Sequence, residues 1–165
     1  MFTHLSLFDS RATVHSLDGA VSALNKQASR LRSLCLFAYN HEAEDIPLPA
    51  SLINWRGLHS LELSYPLRPE LPSGPYLESL RYLEVSGASL ACIPAALSSA
   101  CCLTRLYIGK ALALSMEDVG LLASLPALQR LELDATDRVP TEVAEALRQR
   151  APQLALEAHR RDDDE

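Results

Sequence analysis

Five histidines, four cysteines and 21 acidic residues are the groups in this 165-residue chain that could bind a metal, relay a proton or attack an electrophile. No two of His4, His15, His41, His59 and His159 stand at a spacing that a helix or tight turn would bring together on a metal. Cys101–Cys102 has no second cysteine or histidine pair to complete a zinc site. Phosphate-binding glycine loops and the HExxH pattern are both missing from the sequence. Gly87–Ala88–Ser89 lacks the GxSxG form of a nucleophile elbow. The chain is therefore expected to be no enzyme, with no catalytic residue, no cofactor and no metal.

What the sequence does supply is a repeated frame of aliphatic residues at positions 1, 4 and 6 of a short unit. The copies read Phe2/Leu5/Leu7, Leu31/Leu34/Leu36, Leu58/Leu61/Leu63 and Leu80/Leu83/Val85. Leu103/Leu106/Ile108, Leu128/Leu131/Leu133 and a weaker Ala151/Leu154/Leu156 complete the series. In a strand, alternate side chains face opposite sides, so positions 4 and 6 point one way and positions 3, 5 and 7 the other. One such strand cannot bury its apolar side alone, so each copy needs another on either side of it.

Successive first positions are 29, 27, 22, 23, 25 and 23 residues apart, within the roughly 20–29 residues of leucine-rich repeats. Over nearly its whole length the chain resembles that family. Leu90–Ala–Cys–Ile93–Pro–Ala–Ala–Leu97 is similar to the LxxIPxxL turn of plant-type and related repeats. The resemblance implies an α/β leucine-rich repeat solenoid of about seven units, with a parallel sheet on its concave side and helices and irregular turns on its convex side. Position 9, usually Asn or Cys in the family, holds Ser10, Tyr39, Pro66, Ala88, Ala111 and Thr136. The turns after the strands are accordingly expected to be irregular.

Between the strands, Leu17, Ala20, Val21 and Leu24 give helical spacing over Ser16–Gln27. Asn40–Pro49 reads as a polar, acidic loop, and Trp55 as a residue packed under the third strand. The prolines of Leu67–Pro75 exclude a regular helix there, so repeats three and four should cross over in extended or 3-10 form. Ser115–Met–Glu–Asp118 has the form of a capping box opening a helix to about Leu125. Thr141, after Pro140, is expected to cap a last helix through Arg150 with Val143, Ala144 and Leu147 inward. Residues 1–159 thus form one repeat domain, and 160–165 a charged disordered tail.

The resemblance assigns positions 3, 5, 7 and 8 to the concave face. Strands lie about 4.8 Å apart, so one position in successive repeats makes a column. Position 3 reads His4, Ser33, Ser60, Tyr82, Arg105, Arg130, Gln153, and position 5 reads Ser6, Cys35, Glu62, Glu84, Tyr107, Glu132, Ala155. Position 7 reads Phe8, Phe37, Ser64, Ser86, Gly109, Asp134, Glu157, and position 8 adds Tyr65 and Lys110. Like charges stand side by side at Glu62/Glu84 and at Arg105/Arg130, each costing a few tenths of a kcal/mol. Tyr and Arg dominate interface hot spots. Glu62, Tyr65, Tyr82, Glu84, Arg105, Tyr107, Arg130 and Glu132 are therefore the candidate partner-binding residues. The bland alternative is a solvated network of alternating charges, worth little pair by pair.

A net charge of −6 speaks against a nucleic-acid partner. No run reaches the ~18 apolar residues of a membrane span, and the first residues do not have the form of a signal peptide. The cysteines form no cap-like framework, so the thiols are expected to be reduced and the setting cytoplasmic or nuclear. The expected function is protein–protein interaction, with a partner offering basic and aromatic surface. Family members that select substrates for ubiquitin ligases have similarly irregular, Asn-poor repeats, and that role here would need an adaptor or further sequence. Two alternatives stand beside it. One is a scaffold subunit docked through the uncapped N-terminal edge of Phe2, Leu5 and Leu7. The other is an acidic repeat protein binding a basic partner.

Overall fold

The computed structural model describes residues 3–9, 14–24, 30–38, 46–65, 68, 70–86, 90–109, 114–134 and 139–158. Phe2, the position-9 residues, the segment 40–45, Lys110 and the tail 160–165 lie outside the described residues. Seven strands form one sheet: β1 His4–Asp9, β2 Ser33–Ala38, β3 Ser60–Ser64, β4 Tyr82–Val85, β5 Arg105–Ile108, β6 Arg130–Leu133 and β7 Ala155–Ala158. Their spatial order is their chain order, and every pairing is parallel. Each connection must therefore cross from the end of one strand to the start of the next.

Among the described residues, four α-helices lie in these crossovers: α1 Val14–Ala23, α2 Ala50–Ile53, α3 Met116–Ser124 and α4 Thr141–Arg150. Pro75–Leu77 and Ala95–Ser99 are 3-10 turns, as the proline-rich and short spacings require. In α1, Leu17 and Val21 are buried and Leu24 half-buried, but Ala20 is exposed, so the buried stripe is narrower than its apolar spacing suggests. The short helix α2 was not legible as one. Four residues carry too little periodicity to be told from an apolar turn.

Register puts Leu5, Leu34, Leu61, Leu83, Leu106, Leu131 and Leu156 in one row. The row two residues along runs Leu7, Leu36, Leu63, Val85, Ile108 and Leu133. These rows join one apolar core with Leu17 and Val21 of α1, Leu52 of α2, Val119 and Leu122 of α3, and Val143 and Leu147 of α4. Trp55 is buried in the same core, as expected. All four helices therefore cover one face of the sheet. Among the described residues, no helix is long and apolar enough to cross a membrane.

The seventh strand corrects the sequence frame. Pairing sets Ala155 opposite Arg130, Leu156 opposite Leu131 and Glu157 opposite Glu132, two residues later than the Ala151/Leu154/Leu156 frame. Helix α4 runs to Arg150, and the chain turns through Ala151–Leu154, with Leu154 N–H donating to the Ala151 carbonyl (2.9 Å). Only then can Ala155 N–H reach the Gln129 carbonyl (2.8 Å) and start the strand.

The helix caps also divide. At α3 the capping box forms, with Ser115 N–H donating to the Asp118 carboxylate (2.8 Å) and Asp118 N–H to Ser115 Oγ (3.3 Å). The same buried carboxylate accepts Ile93 N–H (2.7 Å), tying α3 to the turn of the preceding repeat. At α4, Pro140 occupies the cap position and Thr141 is the first helical residue, so Thr141 does not cap. The proline ring holds φ at −56°, already suited to entering a helix.

Candidate functional site

The sheet face opposite the helices carries the odd positions in register. One row runs His4, Ser33, Ser60, Tyr82, Arg105, Arg130, Ala155, and the next Ser6, Cys35, Glu62, Glu84, Tyr107, Glu132, Glu157. Seven of the eight candidate residues lie on this face. The rows join Glu62 to Glu84 and Arg105 to Arg130 as side-by-side like charges.

Tyr65 is the exception. Strand β3 ends at Ser64, so the alternation no longer governs Tyr65, and the chain turns it into the core at 1% exposure. Burial, with a smaller contribution from Tyr76, pushes its phenol well above the usual range. Among the described residues its hydroxyl finds no hydrogen-bond partner.

The centre of the face is knitted together. Arg105 donates from both Nε and Nη2 to the two oxygens of Glu132, the Nη2 bond being 3.0 Å. Its guanidinium carbon lies 5.3 Å from the Tyr82 ring centroid, within cation–π range. The hydrogen bond to Glu132 raises the Arg105 pKa above its ordinary value, against a smaller opposing effect of burial. Arg130 approaches Glu132 at 4.0 Å and Glu157 at 3.4 Å. The Tyr107 hydroxyl donates to Asp134 across the strand pair. As a result Glu132 is 4% exposed and Tyr107 2% exposed, although both sit on the side away from the core.

Arg105 reaches forward along the sheet to Glu132. The Tyr82 hydroxyl already donates to Glu84 (2.7 Å), placing the phenol between that carboxylate and the guanidinium. Burial is the main reason the Tyr82 hydroxyl holds its proton to unusually high pH, reinforced by its bond to Glu84.

Toward β1 the face is different. Phe8 and Phe37 stack with ring centroids 4.9 Å apart and planes 2° from parallel. Phe8 is 74% exposed, which is unusual for so large an apolar side chain. Beside them the Cys35 thiol donates to Glu62 (3.1 Å), and burial lifts its pKa far above the normal thiol value. His4 Nδ1 and Ser33 Oγ are 2.6 Å apart. The donors to Glu62 and Glu84, a thiol and a phenol, are neutral, and among the described residues no cation lies within ion-pair distance of either carboxylate. The sequence placed Phe8 and Phe37 in one column. The exposure of Phe8 was not legible, because it depends on which side chains the fold brings beside it.

Ser64 and Ser86 pair through their hydroxyls, and Gly109 continues that row. A Cβ on Gly109 would sit 2.9 Å from Ser86 Cα and 3.2 Å from the Tyr107 hydroxyl, so the glycine makes room for the Tyr107–Asp134 bond. Among the described residues no group of three or more His, Cys, Asp or Glu side chains is placed to hold a metal ion. No family model matches the chain, and no curated protein matches it.

Proposed function

We propose that this chain is a leucine-rich repeat protein, curved with its sheet on the concave side. In this reading it is a non-catalytic module that binds a partner protein across that sheet. One observation carries the reading: the four described crossover helices pack on the same face of an all-parallel sheet. Parallel sheets ordinarily have both faces covered. Here the second face bears polar rows and an exposed phenylalanine stack, which is the kind of surface a partner covers.

The partner's chemistry follows from the rows. Glu62 and Glu84 are adjacent acceptors with neutral donors, and the Phe8/Phe37 stack lies one diagonal step from Glu62. A segment presenting Lys or Arg next to an aromatic or aliphatic side chain satisfies both. Arg105, Tyr107, Arg130 and Glu132 then shape the floor of the site and Tyr82 its wall, while Tyr65 belongs to the core. Substrate selection for a ubiquitin ligase is one assembly role such a face could serve, in the cytoplasm or nucleus.

The test is panning of a phage-displayed random peptide library on the intact chain. Enriched peptides should combine a basic and an aromatic residue and lose binding as salt rises. Enrichment should fall with Phe8→Ala and with Glu62→Gln/Glu84→Gln while the melting temperature holds. Peptides indifferent to those changes would overturn the reading. A second reading, docking through the sheet edge, draws on Leu5 and Leu7 of β1, which are only half-buried. Light scattering that finds a concentration-independent monomer would count against association of the chain with itself through that edge.

A further inference from the structure

Cys101 and Cys102 are the two central residues of a tight turn. Leu103 N–H donates to the Ala100 carbonyl (3.1 Å), closing a four-residue turn around them. Ala100 and Leu103, at its ends, are both anchored in the core. Immediately after it, Thr104 donates from its N–H and its hydroxyl to the Arg81 carbonyl, each at 2.9 Å. The turn is thus held at both ends while its two side chains stand in solvent.

Both thiols are free and exposed, and their sulfurs are 3.9 Å apart. Cys101 Sγ also rests 3.7 Å from the Glu78 carbonyl. Neighbouring residues have Cα atoms about 3.8 Å apart, shorter than the roughly 4.4–6.8 Å that a relaxed disulfide spans. Closing the pair on itself is therefore unfavourable. A trivalent centre is pyramidal and holds two bound sulfurs somewhat closer together than their present 3.9 Å, a change that a small side-chain rotation in the exposed turn supplies.

We infer that Cys101–Cys102 is a preorganised dithiol site for a soft, trivalent metalloid, of the monosubstituted arsenical class. Such a centre needs only two sulfurs, because it brings its own third substituent. A four-coordinate ion needs more ligands than the described residues offer here. Thiols select soft centres of this kind. With phenylarsine oxide, two As–S bonds form, the arsenic–oxygen bond is lost and both thiol protons leave as one water. Arsenic stays trivalent, so neither oxidant nor reductant takes part. The hydrogen bond with Cys101 holds the Cys102 thiol above its ordinary pKa, and the nearby Arg81 opposes this.

Phenylarsine oxide is the probe, applied to the intact folded chain and followed by native mass spectrometry. One adduct is expected, with the mass of the reagent less one water. It should survive an excess of a monothiol and be stripped by a dithiol. Cys101→Ser and Cys102→Ser should each lower retention by about a hundredfold, because the second sulfur acts at high effective concentration. Cys92→Ser, at another exposed thiol, should retain it fully. An adduct that persists in Cys101→Ser/Cys102→Ser, or that forms only after denaturation, would overturn the assignment. Circular dichroism of each variant separates lost chelation from lost folding.

Discussion

Strands β1–β3 and β4–β6 are built on the same buried leucine rows, yet their other faces have different fates. In β4–β6 the side chains are long and complementary, and they close over one another. Arg105 spans to Glu132, Tyr107 to Asp134 and Tyr82 to Glu84. In β1–β3 most of the outward residues are small or apolar, and Phe8, stacked on Phe37, stays exposed. The same outward position is therefore architecture at one end of the sheet and open surface at the other. Residue type alone, Tyr and Arg against Phe, would have ranked the two regions the other way.

The sharpest break in that comparison is Tyr107→Ala. If Tyr107 is packing, as its burial indicates, the change should cost ~3–5 kcal/mol, read by urea denaturation. Unchanged stability with weaker peptide capture would return it to the binding surface. Asp118→Ala comes next, at ~2–3 kcal/mol, because it removes the α3 cap and leaves Ile93 N–H unpaired. Arg105→Ala should cost ~2 kcal/mol by leaving the occluded Glu132 without its two-pronged donor. That figure is set below the fully buried case because Arg105 is half exposed and Arg130 remains nearby. Phe8→Ala should change stability by less than ~0.5 kcal/mol and act on partner capture alone.

A pH titration probes the covered thiol and phenols of both regions. Cys35, Tyr65, Tyr76 and Tyr82 all have folded pKa values raised above their ordinary 9.0 or 10.0, chiefly by burial. For groups that are neutral when protonated, the unfolded chain then loses protons first as pH rises. Their stabilising contribution is complete below pH 9.0 and declines as pH climbs above 9.0 for Cys35 and 10.0 for the tyrosines. Cys35→Ala should move the onset of alkaline unfolding upward. An onset that does not move would mean that the thiol ionises as easily folded as unfolded.

The sequence alone determined the strands, their parallel chain order and the core rows, from Leu5 through Leu133. It determined the capping box at Ser115 and the 3-10 crossovers as well. These follow from local rules, because alternation, capping and proline geometry act within a few residues. Tertiary structure decided the rest. It shifted β7 by two residues because the turn after α4 consumed Ala151–Leu154, and it drew Tyr65 inward once β3 had ended. It also sank Tyr107 and Glu132 while leaving Phe8 bare. How far a side chain on this face is covered depends on the length and charge of a neighbour more than twenty residues away along the chain. No local pattern encodes that neighbour, so the face could be located from the sequence but its open part could not.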